Sequence, residues 1–218
     1  MAKFVELSHE IVEGMKTYPG LPEPRVELFC THESSRARYQ DQAEFLIANL
    51  HCCGNTGTYV DSPYHRYRDG IDLADLPLAR LADLEFVLVD VRRHTARGIG
   101  PESFPPLDLK GKAVLILTGW SRHWGTGEYF SPNPFLTAGA CHHLVAEGAV
   151  FAGIDSVNID DMQDLSRPAH TILLGAGIPV CEHMTNLEAL LGSGGRLHAV
   201  PIPWRRGATF AVRAYVVC

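Results

Sequence analysis

The stretch Asn55-Thr56-Gly57-Thr58-Tyr59-Val60-Asp61-Ser62-Pro63-Tyr64-His65 places an amide, a phenol, a carboxylate and an imidazole within eleven residues. Gly57 opens backbone conformations closed to other residues, and Pro63 fixes its own φ and removes a donor, so the segment reads as a strand end running into a rigid loop. On an extended backbone the period of two puts Tyr59 and Asp61 on one face. Asn55 joins them if Gly57 does not bulge, and His65 returns from beyond the Pro63 turn. Side chains gathered this way can hold a metal or grip a reacting carbonyl. A polar hairpin with a capped turn would show the same pattern.

Outward from that stretch, apolar runs alternate with helical patterns. Upstream, Phe4 to His9 alternates as an N-terminal strand and feeds the turn-rich Tyr18-Pro19-Gly20-Leu21-Pro22, where Tyr18 is either a loop anchor or a platform for a ligand. Arg25 to Phe29 and Ala43 to Leu50 read as strands separated by the charged stretch from Glu33 to Gln42. Downstream, Phe86 to Val91 and Ala113 to Thr118 are continuous apolar runs, the signature of buried strands. From Pro134 the spacing becomes helical through Ala138, Cys141, Leu144 and Val145, with Thr137 as cap and Gly148 as stop. Ala149 to Asp155 is another buried strand. Asp160, Asp161 and Asp164 lie in a loop that lacks the glycine and closing glutamate of an EF-hand and reads as solvated. Beyond it His170 opens a short helix, Glu182 ends a strand, and Ala208 to Val217 forms the closing strand.

This alternation predicts one α/β domain over residues 1–218, long enough to bury a core without disulfides or a structural metal. A net charge of −6, with no Lys/Arg run, argues against nucleic acid or an anionic membrane surface as partner. The N-terminus enters a strand pattern with no apolar signal core, and no run reaches the length of a membrane span, so a cytoplasmic protein is expected. None of the six cysteines forms a C-x-x-C pair, which points to free thiols.

The central stretch resembles the H-x-G-T-H-x-D-x-P-x-H signature of the cyclase-like metal-dependent hydrolases, the family that includes bacterial kynurenine formamidase and isatin hydrolase. Gly57, Thr58, Asp61, Pro63 and His65 match, while Asn55 and Tyr59 stand where the signature has its first two histidines. Leu7-Ser8-His9, Thr118-Gly119-Trp120-Ser121 and the run from His170 through Glu182 to Leu187 extend the likeness over nearly the whole chain. It implies a swivelling β/β/α fold, often assembled as a homodimer or homotetramer. It also implies two metal positions that share Asp61. The one completed by His170 and Glu182 is kept here. The other, which needs the two histidines, is not.

An amide oxygen is a weak, neutral ligand, and a phenol must lose a proton with a pKa of about 10 before it binds metal well. Hence one divalent ion per chain, zinc or manganese, is expected at Asp61, His170 and Glu182. His65 is the expected proton shuttle, Tyr59 a catalytic donor to the oxyanion, and Tyr18, Asn55 and Tyr59 the substrate-binding group. The activity implied is hydrolysis of a small amide, formamide or lactone. A two-metal arylformamidase of tryptophan catabolism and a non-catalytic small-molecule-binding protein on the same fold are the alternatives.

Overall fold

A computed structural model of the chain describes residues 2–104, 106 and 108–218. Its strands are β1 (Phe4–Glu6), β2 (Arg25–Cys30), β3 (Ile47–His51), β4 (Tyr59–Asp61), β5 (Leu84–Asp90), β6 (Gly98–Ile99), β7 (Ala113–Leu117), β8 (Phe135–Leu136), β9 (Phe151–Ile154), β10 (Val180–Glu182), β11 (Arg196–His198), β12 (Thr209–Ala211) and β13 (Tyr215–Val217). The α-helices are α1 (His32–Arg38), α2 (Ala138–Ala146) and α3 (Pro168–Gly175). A nine-stranded sheet runs in the order β1-β13-β11-β5-β7-β9-β10-β4-β12. Its centre, β5-β7-β9-β10, is parallel, and the strands on either side are antiparallel.

The centre is apolar on both faces because both are covered. All five residues of β7 are buried. Val114 and Ile116 pack with Cys141, Leu144 and Leu173 from α2 and α3, whereas Ala113, Leu115 and Leu117 pack with Val5, Met184, Leu197 and Val216. The expected α2 forms as read: Thr137 Oγ1 accepts from Ala140 N–H, and Gly148 turns the chain at φ +76°.

Two expectations change. Ala208 to Val217 is two strands and not one, with β12 against β4 and β13 between β1 and β11. The Ser8 hydroxyl donates to Val212 O and accepts from Ala214 N–H, which satisfies the backbone at the break and lets the chain cross between partners. The charged stretch before β3 contains α1, started by reciprocal Thr31–Ser34 capping. The β2–β3 hairpin stands apart from the main sheet and exposes Val26, Leu28, Phe29, Ile47 and Leu50. Among the described residues no helix is long and apolar enough to cross a membrane.

Candidate active site

Register places the site. In the antiparallel ladders around β4, Asp61 lies opposite Val180 and Thr209, and Tyr59 lies opposite Glu182 and Ala211. Val60 and Cys181, paired between them, turn to the other face and its core. Period-two alternation therefore brings Tyr59, Asp61, Glu182 and Thr209 to one face. Asp61, Glu182 and Tyr59 are almost fully buried there. Gly54 lets β12 close on this edge, since a Cβ at that position would collide with the Thr209 carbonyl oxygen.

Helix α3 supplies the imidazole. Asp160 accepts from Ala169 N–H at 2.6 Å, from His170 N–H at 3.2 Å and from His170 Nδ1 at 2.6 Å. One carboxylate thus holds the first turn of the helix and fixes the ring, so that Nε2 faces inward. From there Nε2 is 3.6 Å from Asp61 Oδ2 and 3.6 Å from Glu182 Oε1. Asp160 itself is fully buried, so the solvated reading of that aspartate is corrected. Its neighbours account for the misreading: Asp161 pairs with Arg97 and Asp164 binds Ser166, both nearer the surface.

The carboxylates differ in their fastenings. Thr209 Oγ1 donates to Asp61 Oδ1, but Asp61 Oδ2 is buried with no hydrogen-bond partner. Glu182 Oε1 accepts from Ile159 N–H at 2.6 Å and Oε2 from the Tyr59 hydroxyl at 2.6 Å. Burial works against charge on all of them. At His170 burial is outweighed by Glu182, Asp160 and Asp61, and the imidazole is raised to about 10. Burial, joined by the charge of Asp61, raises Glu182 to about 7. At Asp61 burial is overcome by His65, His170 and Thr209, which hold it below the usual carboxylate range.

The expected site residues come together, some with different partners. His65 is exposed at the rim, with Nδ1 3.1 Å from Thr209 Oγ1 and 3.6 Å from Asp61 Oδ1. Tyr18, Asn55, Tyr59, His65, His170 and Glu182 line one cavity of about 320 Å³. Tyr59 differs from expectation. Its hydroxyl donates to Glu182 where donation to a substrate oxyanion was expected, because the register sets it directly across from that carboxylate. Burial and the charges of Glu182 and Asp61 push the phenol well above its ordinary range, so it stays a donor. Asp155 follows β9 outside this group, accepting from Thr118 N–H, Thr118 Oγ1–H and Gly119 N–H, with burial raising it to about 6.

These donors fit a divalent cation. An unpartnered buried carboxylate oxygen, a second carboxylate and an imidazole nitrogen held by its own carboxylate converge, and such a set binds metal, with displacement of the imidazole proton, but strains without one. Asp61, His65 and His170 also offer ligand atoms within 4.8 Å of one another, which brings His65 closer to the centre than a shuttle outside the coordination set requires.

The model of a family described as putative cyclase matches residues 5–161. A kynurenine formamidase from Bacillus cytotoxicus is 24% identical over 221 residues, covering 99% of this chain and 97% of the relative. Among solved structures, isatin hydrolase A from Labrenzia aggregata, bound to benzyl benzoate, superposes with a TM-score of 0.82 at 22% identity, covering 99% of this chain and 93% of that one. A potential metal-dependent hydrolase with cyclase activity gives 0.78 at 22% identity, covering 100% and 98%. The α/β fold expected from the sequence is the fold these structures share.

Proposed function

The chain belongs to the putative cyclase family, and on that premise we propose that it is a metal-dependent hydrolase of a small amide, formamide or lactone, working with one divalent ion, zinc or manganese, held by Asp61, His170 and Glu182. The observation that carries the reading is Asp61 Oδ2, buried without a partner and facing His170 Nε2 at 3.6 Å. The hydrolase names of the related kynurenine formamidase and isatin hydrolase support it.

A cation bound there would polarise the scissile carbonyl and lower the pKa of a water toward about 7. The rest falls to the chain. His65, at the rim beside Asp61, takes the proton from water as its oxygen joins the carbonyl carbon, and passes that proton to the nitrogen or oxygen that leaves as the bond breaks. Thr209 donates to Asp61, so its oxygen is free to accept from His65 Nδ1–H, which turns Nε2 toward the cavity. Tyr59 steadies Glu182, Asp160 steadies His170, and Tyr18 and Asn55 stand on the substrate side of the cavity. The two-metal arylformamidase of tryptophan catabolism is less well supported, because the Tyr59 oxygen is engaged as a donor to Glu182.

The proposed setting is the cytoplasm, with a small molecule as substrate and neither nucleic acid nor membrane as partner. The apolar hairpin of β2 and β3 is the surface that a homodimer or homotetramer would bury. The test is elemental analysis of protein purified without chelator, together with hydrolysis of N-formylkynurenine and a panel of lactones. One ion per chain and metal-dependent turnover are expected. Two tightly held ions would favour the arylformamidase, and no ion after soaking in zinc or manganese would overturn the hydrolase reading in favour of a binding protein.

A further inference from the structure

Two guanidinium groups share the cavity with His65, His170 and Glu182. Arg66 follows His65 directly. Its Nε donates to Thr171 Oγ1 at 2.9 Å and its Nη2 to Ser166 O at 3.2 Å. Arg167 caps α3 in a left-handed conformation, φ 50° and ψ 59°, that is unfavourable for a side chain of its size, and its Nη1 donates to Asp161 O at 3.1 Å. Every one of these acceptors is a neutral oxygen. Arg36, Arg92, Arg97, Arg205 and Arg213 each face a carboxylate, whereas among the described residues neither Arg66 nor Arg167 does.

An unpaired arginine on open surface is ordinary. Two of them anchored by neutral hydrogen bonds, on the wall of the cavity that holds Asp61's neighbours, present guanidinium groups that, among the described residues, form no ion pair, beside a site whose acidic side chains face His170 and the proposed cation. The guanidinium fork matches a carboxylate in shape and charge, and anchoring its far side removes much of the freedom that binding would otherwise cost. We propose that Arg66 and Arg167 are an anion clamp, and that the substrate is an amide or lactone carrying a carboxylate remote from its scissile carbonyl. This rests on the hydrolase reading of the site and narrows it. A neutral substrate would leave both cations unpaired, and discrimination of that kind is large because the site's polar groups lose their partners.

The experiment uses a matched pair, 2-formamidobenzoate and its methyl ester, with the metal-loaded full chain. The acid should show the higher kcat/KM. Arg66→Gln and Arg167→Gln should each lower the acid-to-ester ratio by about 10- to 100-fold, the range for a hydrogen bond to a charged group, chiefly through KM for the acid. Arg66→Lys and Arg167→Lys, which keep charge and lose the fork, should recover part of the ratio. Calorimetric titration with benzoate, and with benzamide as the neutral control, reads the clamp without turnover. Benzoate binding that weakens in the Gln variants supports the clamp even if neither compound is hydrolysed, a result that would count against the hydrolase reading alone. Hydrolysis of acid and ester with a ratio that no arginine variant moves, or benzoate binding no tighter than benzamide, overturns the clamp.

Discussion

Tyr59→Phe removes one oxygen from the middle of the site and leaves the ring. That oxygen donates to Glu182 Oε2 at 2.6 Å, and both residues are almost fully buried, so no water stands ready to replace it. Ile159 N–H keeps the other carboxylate oxygen, at 2.6 Å. A hydrogen bond to a charged group contributes about 1.5–3 kcal/mol. For a chain of this length each kcal/mol moves the melting midpoint by about 2–4 °C, so the variant should melt about 3–12 °C lower. The pH dependence is the sharper test. Glu182, raised to about 7 mainly by burial and then by Asp61, is held from rising further in part by the Tyr59 hydroxyl. Without that donor its folded pKa climbs while its unfolded value stays put. A carboxyl with a raised folded pKa contributes stability that is present below the unfolded value and lost as pH rises through the folded one. The deficit of the variant is therefore small near pH 5 and grows as pH rises from about 7 through the variant's higher folded pKa. Thermal unfolding of metal-free protein at pH 5 and pH 8 measures it. An unchanged midpoint at pH 8, or a deficit that grows toward acid, would refute the reasoning.

Asp61→Ala should abolish tight binding of a divalent cation, measured by equilibrium dialysis, since it removes the buried oxygen that lacks any other partner; wild-type stoichiometry in the variant would count against the site. His65→Ala should lower turnover by about 10²- to 10⁴-fold and keep the metal. Metal lost together with activity would show that His65 is a ligand, as its place beside Asp61 and His170 allows. Because His170 is raised to about 10 by its carboxylate neighbours against the pull of burial, a cation must displace a proton from it at neutral pH. Affinity should rise from pH 6 to pH 9 with release of protons, seen by calorimetry in buffers of different ionisation enthalpy; a flat affinity would exclude that competition. The same shift makes His170 a source of metal-free stability below about pH 6.5 that fades as pH climbs toward about 10.

How much of this was legible in the sequence depended on whether the signal was local. Gly57, Pro63 and the alternation through Asp61 announced a strand end and a loop, and the structure has both. His170 opening a helix and Glu182 ending a strand were readable from the glycines and apolar runs around them, though only a resemblance joined them to Asp61. The partners that set their orientation were not readable. Thr209 meets Asp61 across 148 residues of chain, and its strand was hidden in a run of apolar residues that breaks at Val212 because Ser8, on the first strand's exit, binds both sides of the break. Asp160 sat among other acids and shared their polar surroundings in sequence; only the docking of α3 shows that its carboxylate is buried beneath His170. A loop aspartate ten residues ahead of an inward-facing histidine is the signal that could have found it.

The two positions that depart from the signature are best understood together with Glu182. A histidine at position 59 would bring a neutral lone pair to the cavity. Tyr59 instead brings a donor, and burial, with the carboxylates beside it, raises its pKa well above the ordinary value. Presenting an anionic oxygen to a cation there would mean placing a third negative charge against Asp61 and Glu182 and taking from Glu182 the bond that orders it. On the proposed one-ion reading, Tyr59 would act twice, by withholding a ligand from one position and by holding the proposed ligand Glu182 for the other. On that reading Asn55, half-buried on the same cavity wall, carries an amide whose oxygen and nitrogen would both suit a substrate better than a metal.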